Sequence, residues 1–107
     1  MNLFQHSEIF RFDERVSYPN GGVVSRQVMK NEKGNVTLFA FDKGEGLSEH
    51  TAPFDALIQV VDGHATVYIG GKPFELYSGD SIIMPANIPH SLKATEAFKM
   101  ILTMIRA

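Results

Sequence analysis

The chain has 107 residues, no cysteine and a formal net charge of −2 from ten basic and twelve acidic residues. This length suits one domain with a hydrophobic core of its own and is too short for two. The lack of cysteine excludes disulfides, thiolate metal ligands and a cysteine nucleophile. Long charged runs, a signal-peptide pattern and membrane-length apolar runs are all missing, so we expect a cytoplasmic protein that binds neither nucleic acid nor membranes.

The first twenty residues carry the weakest pattern. The run "FQHSEIFRF" at residues 4–12 fits an edge strand or a partly ordered arm, and "DERV" at 13–16 could form one helical turn. Nothing later in the chain predicts a longer helix. We therefore expect one domain over residues 1–107, with its core at about 22–106 and an N-terminal edge strand or arm at about 1–20.

Turn-forming sequences divide the rest of the chain at regular intervals. Gly, Asn and Asp cluster at residues 18–22, 31–35, 42–46, 62–64, 70–73 and 78–80, where they supply the backbone angles of tight turns. Between them lie short runs rich in β-branched and aromatic residues, at 23–29, 36–41, 56–61, 65–70, 74–77, 81–85, 90–94 and 98–105. Short strands at this spacing predict an all-β sandwich or barrel.

Local features sharpen this prediction around two histidines. Gly70 and Gly71 suit a two-residue hairpin turn, and Pro85 should end the strand that precedes it. His50 and His90 both lie at strand ends beside proline corners. They are far apart in the sequence, so they could meet only across a barrel or sandwich.

These positions resemble the two motifs of the cupins, small double-stranded β-helix or jelly-roll barrels. Gly44, His50 and Gly63 match the first motif, and Gly79, Pro85 and His90 match the second. Four motif positions are replaced: the second histidine by Ala52, the glutamate by Ala56, the second glycine by Asn87 and the asparagine by Ala94. The first two of these are metal-ligand positions in the family.

The resemblance implies a fold more firmly than an activity. Metal-binding cupins hold iron, manganese, nickel, copper or zinc with three histidines and a glutamate, and this chain keeps only His50 and His90 at those positions. Two imidazoles usually hold a divalent ion weakly, because a stable catalytic site has three protein ligands. A bound divalent metal and no metal at all are both compatible with the sequence.

Strand alternation decides which residues could complete a site. In one register Ala56, Ile58 and Val60 face inward, giving an apolar pocket that Met84 would also line. If Pro53 shifts the register by one residue, Asp55 and Gln59 face inward as additional metal ligands. We favour the first register because the spacing to Gly63 then needs no adjustment, and Asp55 becomes a corner residue that accepts backbone N–H bonds. His6 and His64 match neither motif and are expected at the surface.

The last strand-like run, "FKMILTMI", is apolar on both of its alternating faces. An isolated small barrel would leave one face in water, so the pattern predicts a homodimer that covers it, in agreement with what the resemblance implies.

Three functions remain open from the sequence. The first is a module that binds a small, partly apolar molecule in the barrel interior, with His50 and His90 as hydrogen-bonding groups. The second is an oxygenase or isomerase that uses these histidines with a metal, or a metal-free enzyme in which one of them is a general base. The third is a structural dimer with a vestigial pocket. The identity of the ligand cannot be read from the sequence.

Overall fold

The computed structural model describes residues 4–106 and confirms the all-β prediction. The seven strands are β1 (Val23–Asn31), β2 (Gly34–Phe41), β3 (Gly46–His50), β4 (Phe54–Ile69), β5 (Lys72–Tyr77), β6 (Ser81–Met84) and β7 (His90–Arg106). One 3₁₀ turn, Phe12–Glu14, precedes them, close to the position where one helical turn was expected. Within residues 4–106 no helix is long and apolar enough to cross a membrane.

Two long antiparallel strands, β4 and β7, organise the barrel. The first half of β4 pairs with the second half of β7, and the second half of β4 pairs with the first half of β7. The order β1-β2-β7-β4-β6 forms what we call the first sheet, and β3-β7-β4-β5 forms the second sheet. Because both long strands pass from one sheet to the other, the sheets close over a shared interior, as a double-stranded β-helix requires.

The passage between the sheets occurs where the sequence predicted a turn. Residues 62–64 do not reverse the chain; they lie inside β4, with register shifts at Val60/Asp62 and Gly63/Ala65. Gly63 has a φ of +87°, and a Cβ atom there would lie 2.0 Å from the carbonyl oxygen of Ala97. Glycine therefore lets the strand bend against β7 without ending it. The separate strands expected at 90–94 and 98–105 are likewise one strand, β7.

Other local predictions have mixed outcomes. Gly70 and Gly71 form the tight turn between the paired residues Ile69 and Lys72, and β6 ends just before Pro85, both as predicted. Strand β3 was missed, because its sequence "GLSEH" has one large apolar residue and no alternating pattern. It is held by pairing with β7, which is a partner that no local pattern reveals.

Two hydrophobic clusters stabilise the fold. The larger fills the barrel between the two sheets, around the stacked rings of Phe41 and Phe98, whose centroids are 4.5 Å apart. The second lies on the outer face of the first sheet, where buried Phe4 and Val16 from the N-terminal arm meet the sheet. The residues that they meet there include Leu38, Ala40 and Ile101. Residues 4–22 contain no strand, so the edge-strand alternative is wrong for them; residues 1–3 lie outside the described part.

Polar contacts fasten the arm near the bend of β4. The Tyr18 hydroxyl donates a hydrogen bond to the Asp62 carboxylate. Burial, this hydrogen bond and the negative charge of Asp62 all raise the pKa of Tyr18. The Lys99 ammonium lies 4.8 Å from the centre of the Tyr18 ring and donates to the Asp13 carbonyl at 2.8 Å. The arm is thus bound to both long strands.

The bend at Gly63 generates a stability prediction. Gly63→Ala should lower the free energy of unfolding by about 3 kcal/mol or more, since a left-handed backbone and a steric clash with β7 act together. Gly71→Ala is the matched control, because Gly71 has a φ of +82° but nothing within 4 Å of the added Cβ; it should cost about 1–2 kcal/mol. Urea unfolding measures both, and equal losses would contradict the steric role of Gly63.

Candidate functional site

The two motif histidines meet inside the barrel. His50, the last residue of β3, is the direct cross-strand partner of His90, the first residue of β7. Paired residues share a sheet face, and here the two Nε2 atoms are 3.1 Å apart with the rings edge to face. His90 is buried and His50 is exposed, so the pair connects the interior with solvent.

The loop between β6 and β7 holds His90 in place. Asn87 occupies the position of the second motif glycine and has a φ of +65°, a left-handed conformation that asparagine tolerates better than most residues. Its backbone N–H donates to the Ala52 carbonyl at 2.9 Å, and Gly70 N–H donates to the Pro89 carbonyl at 2.8 Å. Asn87 therefore keeps a left-handed backbone conformation at the position of the motif glycine. The two hydrogen bonds connect the loop to the segment before β4 and to the turn after it.

A small cavity opens beside the histidine pair. Its volume is about 40 Å³, and its lining is mostly apolar: Leu47, His50, Ala52, Ala56, Met84, His90, Ser91, Leu92, Leu102 and Met104. A single water needs roughly 10–15 Å³ by this measure, whereas pockets for drug-sized ligands have roughly 300–1,000 Å³. The cavity thus admits a few atoms, such as one polar head group.

The four positions that carry metal ligands in the related barrels come together here. His50, Ala52, Ala56 and His90 all line this cavity. Two of the four positions carry methyl groups, which cannot bind a metal. The alanines therefore leave space and apolar surface where the resemblance would place donors.

Hydrogen bonding fixes the chemistry of the two rings. His50 Nδ1 faces the Ser48 carbonyl at 2.7 Å, and His90 Nδ1 faces the Ile88 carbonyl at 3.1 Å. A carbonyl oxygen only accepts, so each Nδ1 carries a hydrogen, and in a neutral imidazole the Nε2 atom is then an acceptor. Two such acceptors 3.1 Å apart repel each other unless a proton or another cation lies between them. One proton or other cation between the two Nε2 atoms would remove this repulsion.

The surroundings of His90 disfavour its charged form. Burial lowers the pKa of His90, and the neighbouring His50 lowers it further, against the opposing effect of the hydrogen bond to Ile88. Because the unfolded chain then binds a proton more strongly than the folded chain, His90 reduces stability as the pH falls from its ordinary pKa of 6.5 toward the lower folded value.

The additional candidate ligands lie elsewhere. Ala56, Ile58 and Val60 are buried and Asp55 is exposed, so the chain has the first of the two registers. The Asp55 carboxylate accepts the backbone N–H of Ala86 at 2.9 Å, and Gln59 is on the face opposite Ile58. Among residues 4–106 no group of three or more His, Asp or Glu side chains could hold a metal ion.

The predicted pocket residues are partly corrected. Met84 lines the cavity, but Ile58 and Val60 do not. Both are buried in the main cluster with Phe41, Phe98 and Met100. Large side chains fill the deeper part of a small barrel, so the cavity does not reach Ile58 and Val60.

His64 lies on the outer face of the second sheet, but it is less exposed than expected. Its side chain is only 17% exposed, and its Nε2 lies 2.7 Å from the Glu75 carboxylate. Thr66 donates to the same oxygen at 2.8 Å and contacts the Thr95 hydroxyl at 2.6 Å. The Thr66 and His64 hydrogen bonds, in that order, lower the pKa of Glu75. This network faces outward from the second sheet, and its only sequence signal was the alternation of His64 and Thr66 along β4.

Comparison with known proteins decides the family. The sequence model described as "Cupin domain" matches residues 37–106. The chain belongs to the cupin family. This agrees with the motif resemblance and with the observed fold, and the match spans every strand from β3 to β7 and most of β2.

Solved structures with the same fold cover the rest of the chain. A conserved protein of unknown function from Streptococcus pyogenes is 30% identical over 99% of this chain and 93% of its own, with a TM-score of 0.94. A cupin 2 conserved barrel domain protein from Leptotrichia buccalis is 43% identical over 91% of this chain but only 47% of its own, with a TM-score of 0.88. A cupin superfamily protein from Desulfitobacterium hafniense, 20% identical over 99% of this chain and 97% of its own, has a TM-score of 0.92 and shows the fold alone. None of the curated proteins matches the sequence.

Proposed function

We propose that this cupin binds a small molecule through an anionic head group, such as a carboxylate, at the His50–His90 pair. The observation that carries the proposal is the 3.1 Å distance between two Nε2 atoms whose Nδ1 partners are both carbonyl oxygens. A proton shared by this pair gives it a positive charge. An anion would neutralise that charge inside an otherwise apolar cavity, where electrostatic attraction is screened less than in water.

The cavity also constrains the rest of the ligand. Leu47, Met84, Leu102 and Met104 provide apolar walls, which favour a hydrocarbon segment next to the charged group. The small volume admits the head group and leaves the remainder of the ligand toward the mouth of the barrel. In a metal-free enzyme, the pair without its shared proton would offer an Nε2 lone pair as a general base.

Short carboxylates should therefore bind, and the histidines should matter. Isothermal titration with hexanoate should show binding that weakens about tenfold or more in His50→Ala and His90→Ala, because either substitution removes the shared proton and with it the positive charge that attracts the carboxylate. His64→Ala, on the outer face of the second sheet, is the control and should bind normally. Hexanamide, which lacks the charge, should bind more weakly than hexanoate. Equal binding by all variants would sink the proposal.

A metal-dependent function is the second candidate, and it is supported by the same distance between the Nε2 atoms of His50 and His90. Two nitrogens that each lie about 2.0–2.1 Å from one ion can be 3.1 Å apart. His50 and His90 would hold the ion, which would supply Lewis-acid or oxygen-activating chemistry. Two protein donors do not make a complete centre, however, so a resident ion would need further ligands from water or from the bound molecule.

Restoring the missing donors tests this candidate. The double variant Ala52→His with Ala56→Glu should retain Zn²⁺ or Ni²⁺ through gel filtration, because both positions line the same cavity as the histidines. The unaltered protein, prepared without tag or chelator, should contain little metal by mass spectrometry. Near-stoichiometric metal that disappears in His50→Ala and His90→Ala would favour the metal-dependent function over anion binding and make the ion a resident cofactor.

A homodimer is the third proposal, and an apolar row on the first sheet supports it. Cross-strand pairs connect Met29, Val36, Thr103, Leu57 and Ile83 in one line on the outer face. Met29, Ile83 and neighbouring Ile105 are 62–65% exposed. The arm covers Ile101 within the chain, so a second copy would need to cover only this row. As a purely structural role, such a dimer would not require the cavity.

Charged substitutions in the row should separate the two copies. Ile83→Lys or Ile105→Lys should weaken the dimer at least about tenfold, because each removes buried apolar surface that contributes about 1.5–3 kcal/mol. Ile9→Lys is the control, since Ile9 is 97% exposed and lies on the arm. Sedimentation at several concentrations measures the association. A strictly monomeric unaltered protein at micromolar concentration would remove the proposal.

A further inference from the structure

The inner face of the first sheet continues beyond the cavity. One cross-strand row runs from Met84 through Ala56 and Met104 to Asn35 and ends at Lys30. Met84, Ala56 and Met104 line the cavity. Because directly paired residues lie on the same face, Asn35 and Lys30 extend the cavity wall toward the open edge of the sheet.

The adjacent cross-strand row also changes from apolar to polar side chains. It passes from Ile82, Ile58 and Leu102 to Thr37 and Gln27. Asn35 and Thr37 are half-buried, and Gln27 and Lys30 are exposed. We call Gln27, Lys30, Asn35 and Thr37 the polar shelf. Thr37 and Asn35 on β2 pair directly with Leu102 and Met104 on β7. The polar shelf therefore begins one strand away from the apolar wall of the cavity.

Lys30 is the only cation of this shelf. No ion pair within residues 4–106 includes Lys30. Asn35, between Met104 and Lys30, has its side-chain oxygen 3.5 Å from the Thr37 hydroxyl, which leaves the amide N–H groups available to a ligand. At the usual strand spacing, Lys30 is about 10 Å from Met104 across the sheet, a distance that the long flexible side chain shortens.

From this arrangement we propose that the ligand carries two anionic groups separated by an apolar segment. The first binds at the His50–His90 pair, the apolar segment lies over Leu102 and Met104, and the second meets Lys30 and the Asn35 amide. This inference rests on the proposed head-group site and adds the class of ligand, an acid with negative charge at both ends. It requires no metal and no change in the fold.

A matched pair of ligands isolates the second charge. Adipate and hexanoate have the same chain length, but only adipate is charged at both ends. Isothermal titration should show about two- to fivefold tighter binding of adipate, as expected for a solvent-accessible ion pair. Lys30→Gln should abolish this preference while leaving hexanoate binding unchanged. Lys43→Gln is the control, because Lys43 has the same charge but lies between β2 and β3, beside Glu96.

Salt and the histidine variants distinguish the possible failures. Raising the ionic strength should reduce the adipate preference of the unaltered protein and have no such effect in Lys30→Gln. If hexanoate binding depends on His50 but adipate gains nothing, or if Lys30→Gln keeps the preference, the shelf proposal fails and the head-group site stands. If neither acid binds, or both bind equally well without His50, the head-group site itself fails.

Discussion

The barrel depends on the close approach of β4 and β7 at Gly63. Both long strands must change sheets at this point, and the Ala97 carbonyl leaves no space for a side chain on the facing residue. Each half of one strand can then pair with the opposite half of the other. This crossing also sets the position of the site, because it pairs His90, the first residue of β7, with Ile69, the last residue of β4. A backbone constraint in the centre of the molecule thus determines which side chains meet at its mouth.

The histidine pair shows how a reduced motif can keep a definite chemistry. Ser48 and Ile88 orient the two rings through main-chain carbonyls, so the orientation does not depend on the donors that Ala52 and Ala56 have replaced. What changes is the number of groups that can share a cation. A pair of imidazoles is sufficient for a proton and insufficient by itself for a complete metal centre, and this difference underlies our proposal of anion binding.

The sequence predicted those parts of the structure that local chemistry determines. Turn residues, the glycine and proline motif positions, the family and the inward register of Ala56 could all be read before the fold was known. Strand β3 and the continuity of β4 through residue 62–64 could not, because both depend on pairing with the distant β7. The depth of the cavity was also beyond the sequence. Alternation places Ile58 and Ala56 on one face, but only the packing of Phe41 and Phe98 shows that the space beside Ile58 is filled. The partial burial of His64 was not predicted, because its partner Glu75 belongs to the neighbouring strand.

The second half of β7 has a consequence for how this protein can change during evolution. Alternate residues of this segment serve separate purposes: Leu102 and Met104 line the cavity, whereas Ile101 lies under the arm and Ile105 is exposed on the outer face. A substitution in one series leaves the side chains of the other in place. Ligand preference and surface properties can therefore diverge independently among descendants of this chain, although both are encoded in the same segment, residues 101–105.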